Sequence, residues 1–527
     1  MKRFFTFIII IGLVAGTAIG ASKPTSIIVY NIPKQHITGF GGACCDGAMC
    51  PFAKDTKPVE LLYGPESKIG LNILRMEISP NFIGDVIVPE WGNWDSPYDW
   101  KGSLPSAKIV KQRGGIVFGT PWSPPGEYKT NGTAQGGKVK ENDNDPQNKR
   151  GKLREDCYEK FFPWLNTYLG WMKDNGVDVD AVSLQNEPDW WVNYSGCLYD
   201  PQDLVKLVKN YAYMLDREKY HGVKLISGEP LGFTQNYTDP LMQDETCREQ
   251  IDIVAGHLYG HLPLQYMKHA GVLPLKYGKE LWMTEHSVLD NIDHMPTWYE
   301  NLIFAEELNE CMLAGCTGYI YWYLRAHWSF CGTGQSWTYK INGVDYTASS
   351  PDNKKNVLLP RAFVMSHFSK YVTGSTRLET SKDNEGGREK EEVAAPFEYS
   401  AYIKDNTIIV MAINTTQNDR KLKIKLPFKV KSGILLQSLG NEEENLCQKE
   451  DITIDEPVSE VLVEMPYESL NTYIFTIDQS TAIDEVRQAG EGTKTYFDLQ
   501  GHRLTHPRGL CIERSADGTS RKVIMKR

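Results

Sequence analysis

The chain has 527 residues, 41% hydrophobic and 24% charged, a globular composition that excludes disordered, collagen-like and coiled-coil chains and has room for roughly two to three folded units. Lys and Arg number 57 against 67 Asp and Glu, and no Lys/Arg-rich block occurs, so the net charge of −10 makes nucleic acid an unexpected partner. The 13 Trp and 27 Tyr are suited to stacking on sugars, although most buried aromatics simply pack cores.

Residues 1–21 have the form of a secretory signal peptide: Lys2 and Arg3, an apolar run from Phe4 to Val14, then small residues at Ala18 and Gly20. The run is shorter than the ~20 residues that span a bilayer, and no later segment replaces it, so no transmembrane segment is expected and the mature chain is read as exported. No cysteine follows the small-residue site, which gives an N-terminal lipid anchor no support. All 11 cysteines lie beyond the leader and are too sparse for a disulfide scaffold. Cys44, Cys45 and Cys50 lack the paired C-x-x-C spacing and the His cluster of a zinc site. His257 and His261 have the spacing of a helical metal pair but stand in IDIVAGHLYGH, a strand running into a loop, so they read as structural.

Residues 22–36 contain SIIVYN, a strand placed to join a later sheet. Over 37–373, eight short apolar runs (TGFGGA, NILRMEI, GIVFGT, AVSLQ, KLISG, IVAGHLY, ELWMT and GYIYWYL) alternate with amphipathic stretches. The helical stretches include Phe161–Asn175, closed by Gly176, and Asp203–Glu218, with Asp203 as N-cap. This rhythm predicts an α/β fold, a (β/α)8 TIM barrel whose site lies at the C-terminal strand ends. Over 374–478, alternating segments such as NTIIVMAIN and SEVLVEM predict a side antiparallel β-sandwich that takes in the N-terminal strand. Residues 479–495 read as a linker, and 496–527 as a small C-terminal β tail.

Three strand ends carry carboxylates: Glu187 after AVSLQN, Glu229 after KLISG and Glu285 after ELWMT. Glycoside hydrolysis needs two across a cleft, one to protonate the leaving oxygen and one to attack the anomeric carbon. Spacing alone leaves three candidates for two roles.

The ordered motifs ITGFGGA (37–43), TPWSPP (120–125), LQNEPDW (184–190), GHLYG (256–260), LWMTEHS (281–287) and FVMSHFSKYV (363–372), with GEPLGFTQNYTDPLM after the fifth strand, resemble glycoside hydrolase family 30, and within it the bacterial xylanase (glucuronoxylanase) subfamily. The resemblance runs from about Thr25 to Ile477. It implies the same barrel with a side β-sandwich, and a secreted, retaining endo-β-1,4-xylanase acting on xylan with no metal or organic cofactor. It further implies Glu187 as general acid/base, Glu285 as nucleophile, Asn186 on the sugar 2-hydroxyl, and Arg75 and Tyr259 against Glu285. Trp122 and Trp322 form the apolar floor under the sugar, and Glu229 is left as a structural or subsite residue. The alternatives are a family 30 β-1,6-glucanase or glucosylceramidase-like enzyme, and a non-catalytic carbohydrate-binding protein.

One departure bears on the substrate. Glucuronate-requiring relatives grip the uronate with the second of two adjacent Arg after the eighth strand, helped by a Tyr and a Ser; here YWYLRAHW has Ala326 after Arg325, and Ser287 and Asp290 stand at the helper positions. Independence from glucuronate branches is therefore expected. The segment from His327 to Leu359 is longer than the family's loop and offers Trp328, Phe330, Trp337 and Tyr339 for stacking. The tail from Tyr496, with YFDLQGHRL and a basic RKVIMKR end, resembles the C-terminal sorting segments of exported Bacteroidetes proteins, which makes export machinery an expected partner.

Overall fold

The computed structural model describes residues 24–44, 55–80, 100–136, 151–192, 194–260, 263–288, 296–334, 354–383, 397–440 and 448–479, together with the backbone of strands within 337–348 and 495–525. The leader 1–21, Cys45, Cys50, His261, Asp290 and most of the linker lie outside the described residues, as do the side chains of Trp337, Tyr339 and the tail.

The first strand, β1 (Thr25–His36), precedes a closed parallel barrel of β2 (Gly39–Cys44), β3 (Ile73–Ile78), β4 (Ile116–Pro121), β5 (Ala181–Ser183), β6 (Lys224–Ile226), β7 (Ile253–His257), β8 (Glu280–Glu285) and β9 (Gly318–Tyr321). All eight expected strands are present. They are almost wholly buried because helices cover the outside and strand side chains fill the inside, the usual condition of a parallel sheet. A separate apolar cluster made by the strands alone, including Ile73, Phe118, Ile226, Ile253, Trp282 and Ile320, plugs the interior. Barrel closure depends on glycine in β2, since a Cβ on Gly41 would lie 1.8 Å from the carbonyl oxygen of Ile73 in β3.

The helix expected over Phe161–Asn175 spans Tyr158–Asp174, and Gly176 follows it with φ 86°. The helix expected from Asp203 begins at Pro201 instead. Asp200 is its N-cap, Pro201 stands at the first turn, and Asp203 closes a capping box from the third position, so both acids satisfy end N–H groups. It leaves α geometry at Tyr211 and continues as a 3-10 turn, Ala212–Met214.

Past the barrel, β10 (Trp337–Ile341) and β11 (Val344–Ala348) pair as a hairpin inside the long segment after Ala326. Of the aromatics expected to stack there, Phe330 is fully buried in the core and offers no platform, whereas Trp328 is half-buried with its ring edge-on to Tyr323.

The second unit joins β1 to β12 (Thr376–Lys382), β13 (Glu398–Lys404), β14 (Thr407–Asn414), β15 (Arg420–Ser438), β16 (Gln448–Ile452), β17 (Val458–Met465) and β18 (Ser469–Ile477). The 19-residue β15 pairs β1 and β17 through its first half and β18 and β16 through its second, so it bends one mixed sheet around its own core. One pairing is parallel rather than antiparallel, β1 with β15, because the N-terminal strand enters beside β15 in the same direction. Strands β19 (Thr495–Phe497), β20 (Arg503–Leu504), β21 (Gly509–Arg514) and β22 (Ser520–Met525) make a four-stranded sheet in the tail. The seven described cysteines are all free and buried.

Two barrel helices, Trp298–Leu313 and Pro360–Ser369, pack on the side sheet. His367 is buried between them and the sheet, with Nδ1 2.8 Å from Thr472 Oγ1 and Nε2 2.9 Å from Ser438 Oγ. Burial without a counter-charge pushes its pKa down to about 3. The unfolded chain binds a proton below about pH 6.5 that the folded one refuses, so stability falls as pH drops from about 6.5 towards 3, by up to ~1.4 kcal/mol per pH unit. His367→Gln should flatten that part of the wild-type melting-temperature profile; parallel profiles would show that His367 contributes nothing to it.

Candidate active site

The C-terminal ends of β3, β4, β5, β6, β7, β8 and β9 converge on one buried cluster of charge. Arg75, fully buried on β3, donates from Nη1 to Glu285 Oε2 at 2.5 Å and from Nη2 to Asn186 Oδ1 at 2.8 Å, with Glu229 Oε2 3.0 Å from Nη2. Its guanidinium lies over the Trp122 ring at 4.6 Å, and Trp322 flanks Trp122 at 5.9 Å between ring centroids. One face of Trp122 therefore supports Arg75. Tyr259 Oη donates to Glu285 Oε1 at 3.3 Å, so the two oxygens of Glu285 have different partners.

Glu187 is held by its backbone. Its φ of 44° lies in the left-handed region, which a residue with a side chain adopts only when its surroundings impose it. Those surroundings are main-chain bonds: Asn186 N donates to Pro121 O at 2.9 Å, Glu187 N to Glu229 O at 2.8 Å, and Trp190 N to Glu187 O at 3.0 Å. Gln185 Nε2 adds a bond to Trp122 O at 2.6 Å. The strand end is thereby fastened to both neighbours, and the turn carries the Glu187 carboxyl into the mouth.

His257 changes the reading of its residue type. Rather than a structural strand histidine, it is a fully buried ring with Nδ1 3.1 Å from Glu187 Oε1 and Nε2 3.5 Å from Glu229 Oε2 and 4.0 Å from Glu285 Oε2. Burial works against its charge, but the carboxylates of Glu285, Glu187 and Glu229 outweigh burial and raise its pKa to about 9. The same field separates the carboxyls. Burial opposes ionisation of Glu229 too, yet Arg75 and His257 hold it down at about 2, where Thr120 Oγ1 also donates to it at 2.8 Å. Glu187 moves the other way: burial, helped by the charge of Glu285, raises it against the hydrogen bond from His257. The site thus contains one carboxyl biased towards the acid form and one fixed as an anion, the arrangement that divides proton donor from charge stabiliser.

Glu187, His257 and Glu285 offer ligand atoms all within 4.8 Å of one another. A cation there would have to displace the proton of His257 and sit beside Arg75, so the donor set suits proton transfer better than metal binding.

All seven residues expected at the site lie in this cluster or on its rim. Thr120 and Gln185 were not singled out by sequence, and His257 was read there only as structural; a polar residue at a strand end is the signal they share with the carboxylates. Tyr194 has no such signal. It reaches the site from the loop after β5, where burial and then the charges of Glu187 and Glu285 push its hydroxyl pKa up.

A family model described as glycosyl hydrolase catalytic core matches residues 158–311. Glucuronoxylanase XynC of Bacillus subtilis is 26% identical over 413 residues, covering 76% of this chain and 79% of its own. A family 30 subfamily 8 xylanase of Clostridium acetobutylicum superposes with TM-score 0.63 at 27% identity, over 86% of this chain and 99% of its own. In sequence and in fold the chain is similar to glycoside hydrolases of family 30. A family 30 endoxylanase of Clostridium papyrosolvens shares the fold at TM-score 0.63 and 23% identity, over 86% of this chain and 100% of its own. That likeness agrees with the closed barrel and the separate mixed sheet beside it.

Glu229→Gln removes a counter-charge that both Arg75 and His257 face. With all three groups out of water, the expected cost is about 3–5 kcal/mol of stability, read as a fall in the denaturation midpoint. A midpoint within error of wild type would mean that Glu285 alone satisfies Arg75.

Proposed function

We propose that the protein is an exported, retaining endo-β-1,4-xylanase that cleaves plant xylan without requiring glucuronate branches, with Glu187 as general acid/base and Glu285 as nucleophile. The observation that carries the reaction type is the carboxylate spacing: oxygens of Glu187 and Glu285 lie within 4.8 Å, close to the ~5–5.5 Å of retaining enzymes and well short of the ~6.5–9.5 Å that leaves room for an attacking water. The xylan-cleaving relatives support the substrate class, and the leader and tail motifs support export.

In this mechanism neutral Glu187 gives its proton to the glycosidic oxygen as the C–O bond breaks and Glu285 bonds to the anomeric carbon. Glu187, now a carboxylate, takes a proton from water; that water bonds to the same carbon and releases Glu285. Asn186 spends its amide oxygen on Arg75, which leaves its amide N–H groups for the sugar 2-hydroxyl.

The substrate reading rests on Arg325. Its Nη1 is 2.8 Å from Asp55 Oδ2, an oxygen that Lys355 Nζ also meets at 3.0 Å. Burial opposes the charge of Asp55, but Lys355 and Arg325 overcome it and hold the carboxyl at about 2. A uronate would have to compete with this carboxylate for Arg325, and Ala326 beside it brings no charge. Ser287 is engaged too, its hydroxyl donating to the carbonyl of Trp322.

Glu187→Gln and Glu285→Gln should each fold and lose about a thousandfold or more in kcat. Azide should rescue a Glu187→Ala variant to a β-configured product, because azide needs no general base; an inverted product from the wild-type enzyme would sink both assignments.

On glucuronoxylan, kcat/KM should change little after enzymatic removal of the uronate. A fall of about a hundredfold, some 2.7 kcal/mol, would mean that a charged grip of the kind described does operate. Parallel assays on β-1,6-glucan and glucosylceramide test the other substrates known within the family.

A further inference from the structure

Behind the nucleophile lies a second hydrogen-bonded group. His286 presents Nδ1 to Glu307 on the helix Trp298–Leu313, 2.9 and 2.8 Å from its two carboxylate oxygens. Tyr319, on β9, donates its hydroxyl to Glu307 Oε1 at 2.6 Å. Both oxygens of Glu307 are engaged, and because a carboxylate only accepts, Nδ1 must be the protonated nitrogen facing it. The backbone of His286 is tied as well, its carbonyl accepting from Trp322 N at 3.0 Å.

The other side of this imidazole meets Tyr259 edge to face, 5.0 Å between centroids and 70° between planes. His257 meets the same phenol at 6.1 Å and 84°. Tyr259 thus stands between two imidazoles, one anchored by Glu187, the other by Glu307, and its hydroxyl reaches Glu285 Oε1 at 3.3 Å. That distance is beyond the ~2.5–3.0 Å of a strong O–H···O bond, so a shift of a few tenths of an ångström in the ring decides whether the contact contributes.

We propose that Glu307 is a positioning residue for the reaction: through His286 it sets the phenol of Tyr259 against the nucleophile and so controls how well Glu285 leaves in the second step. This rests on the nucleophile role given to Glu285 above. Charge returns to Glu285 as the bond to the anomeric carbon breaks, and a donor already aimed at Oε1 stabilises that charge without reorganising. Arg75 serves Oε2, so Oε1 depends on Tyr259. In Glu307→Gln the amide N–H2 faces the N–H of His286, a donor against a donor, and the imidazole must turn or shift.

A double-mutant cycle on an aryl β-xylobioside tests this. Glu307→Gln should lower kcat about tenfold without raising KM, with a burst of aryl leaving group as the glycosyl-enzyme accumulates. In a Tyr259→Phe background the same substitution should have almost no further effect, since the hydroxyl it positions is gone. Equal losses in both backgrounds, or an unchanged kcat, would overturn the proposal, because a purely structural role would act whether or not the hydroxyl is present. Melting temperatures are measured alongside, and if Glu307→Gln does not fold, His286→Asn takes its place in the cycle with the same outcomes. If the enzyme cleaves no xyloside, the substrate reading fails instead, and the cycle is run on the glycoside it does cleave.

Discussion

The buried guanidinium of Arg75 is the interaction on which the site depends. A cation wholly removed from water survives only if fixed opposite charge surrounds it, and β8, β6 and the turn after β5 each supply a partner: Glu285, Glu229 and Asn186. Meeting that need brings three strand ends to one point. The guanidinium lies over the ring of Trp122, so the residue expected to carry sugar also excludes water from the cation. His257 repeats the logic with a group that could have been neutral: three carboxylates around one buried ring keep its proton on.

These two cations determine how the carboxyls differ. Glu229 has both within reach and is an anion under any ordinary condition, whereas Glu187 has only the imidazole, lies near the charge of Glu285, and is pushed towards its acid form. Three glutamates at equivalent strand ends thus become chemically distinct through what lies within a few ångströms of each. The side sheet takes part indirectly, because the helix that packs on it also carries Glu307 to the back of the site. Interior His367, neutral for lack of any carboxylate, shows the opposite outcome for the same side chain.

The approach to the cleft follows a similar rule. Arg325 has an internal counter-ion, Asp55, from a segment about 270 residues earlier. An arginine paired inside the protein costs an incoming carboxylate the exchange of one charge-assisted bond for another. The neighbouring residue, Ala326, is almost fully buried and brings no charge.

Much of the fold could be read in the sequence because it rests on local signals. Eight apolar runs at βα spacing, turn-bounded alternating strands after residue 374, and carboxylates directly after strand runs all follow from side-chain period and from where a barrel opens its strands. The N-cap expected three residues late, at Asp203 instead of Asp200, was local too: both are good caps, and only the capping box tells them apart. The charge state of His257, the pairing of Arg75 with Glu229, the closure of Asp55 on Arg325 and the line from Glu307 to Tyr259 were decided by the tertiary structure. Each is a contact between segments far apart in the chain, and its energy depends on distance and on exclusion of water, neither of which the order of residues expresses. The sequence by itself determined which groups stand at the mouth of the barrel; burial and proximity decided which are charged, and towards what each is turned.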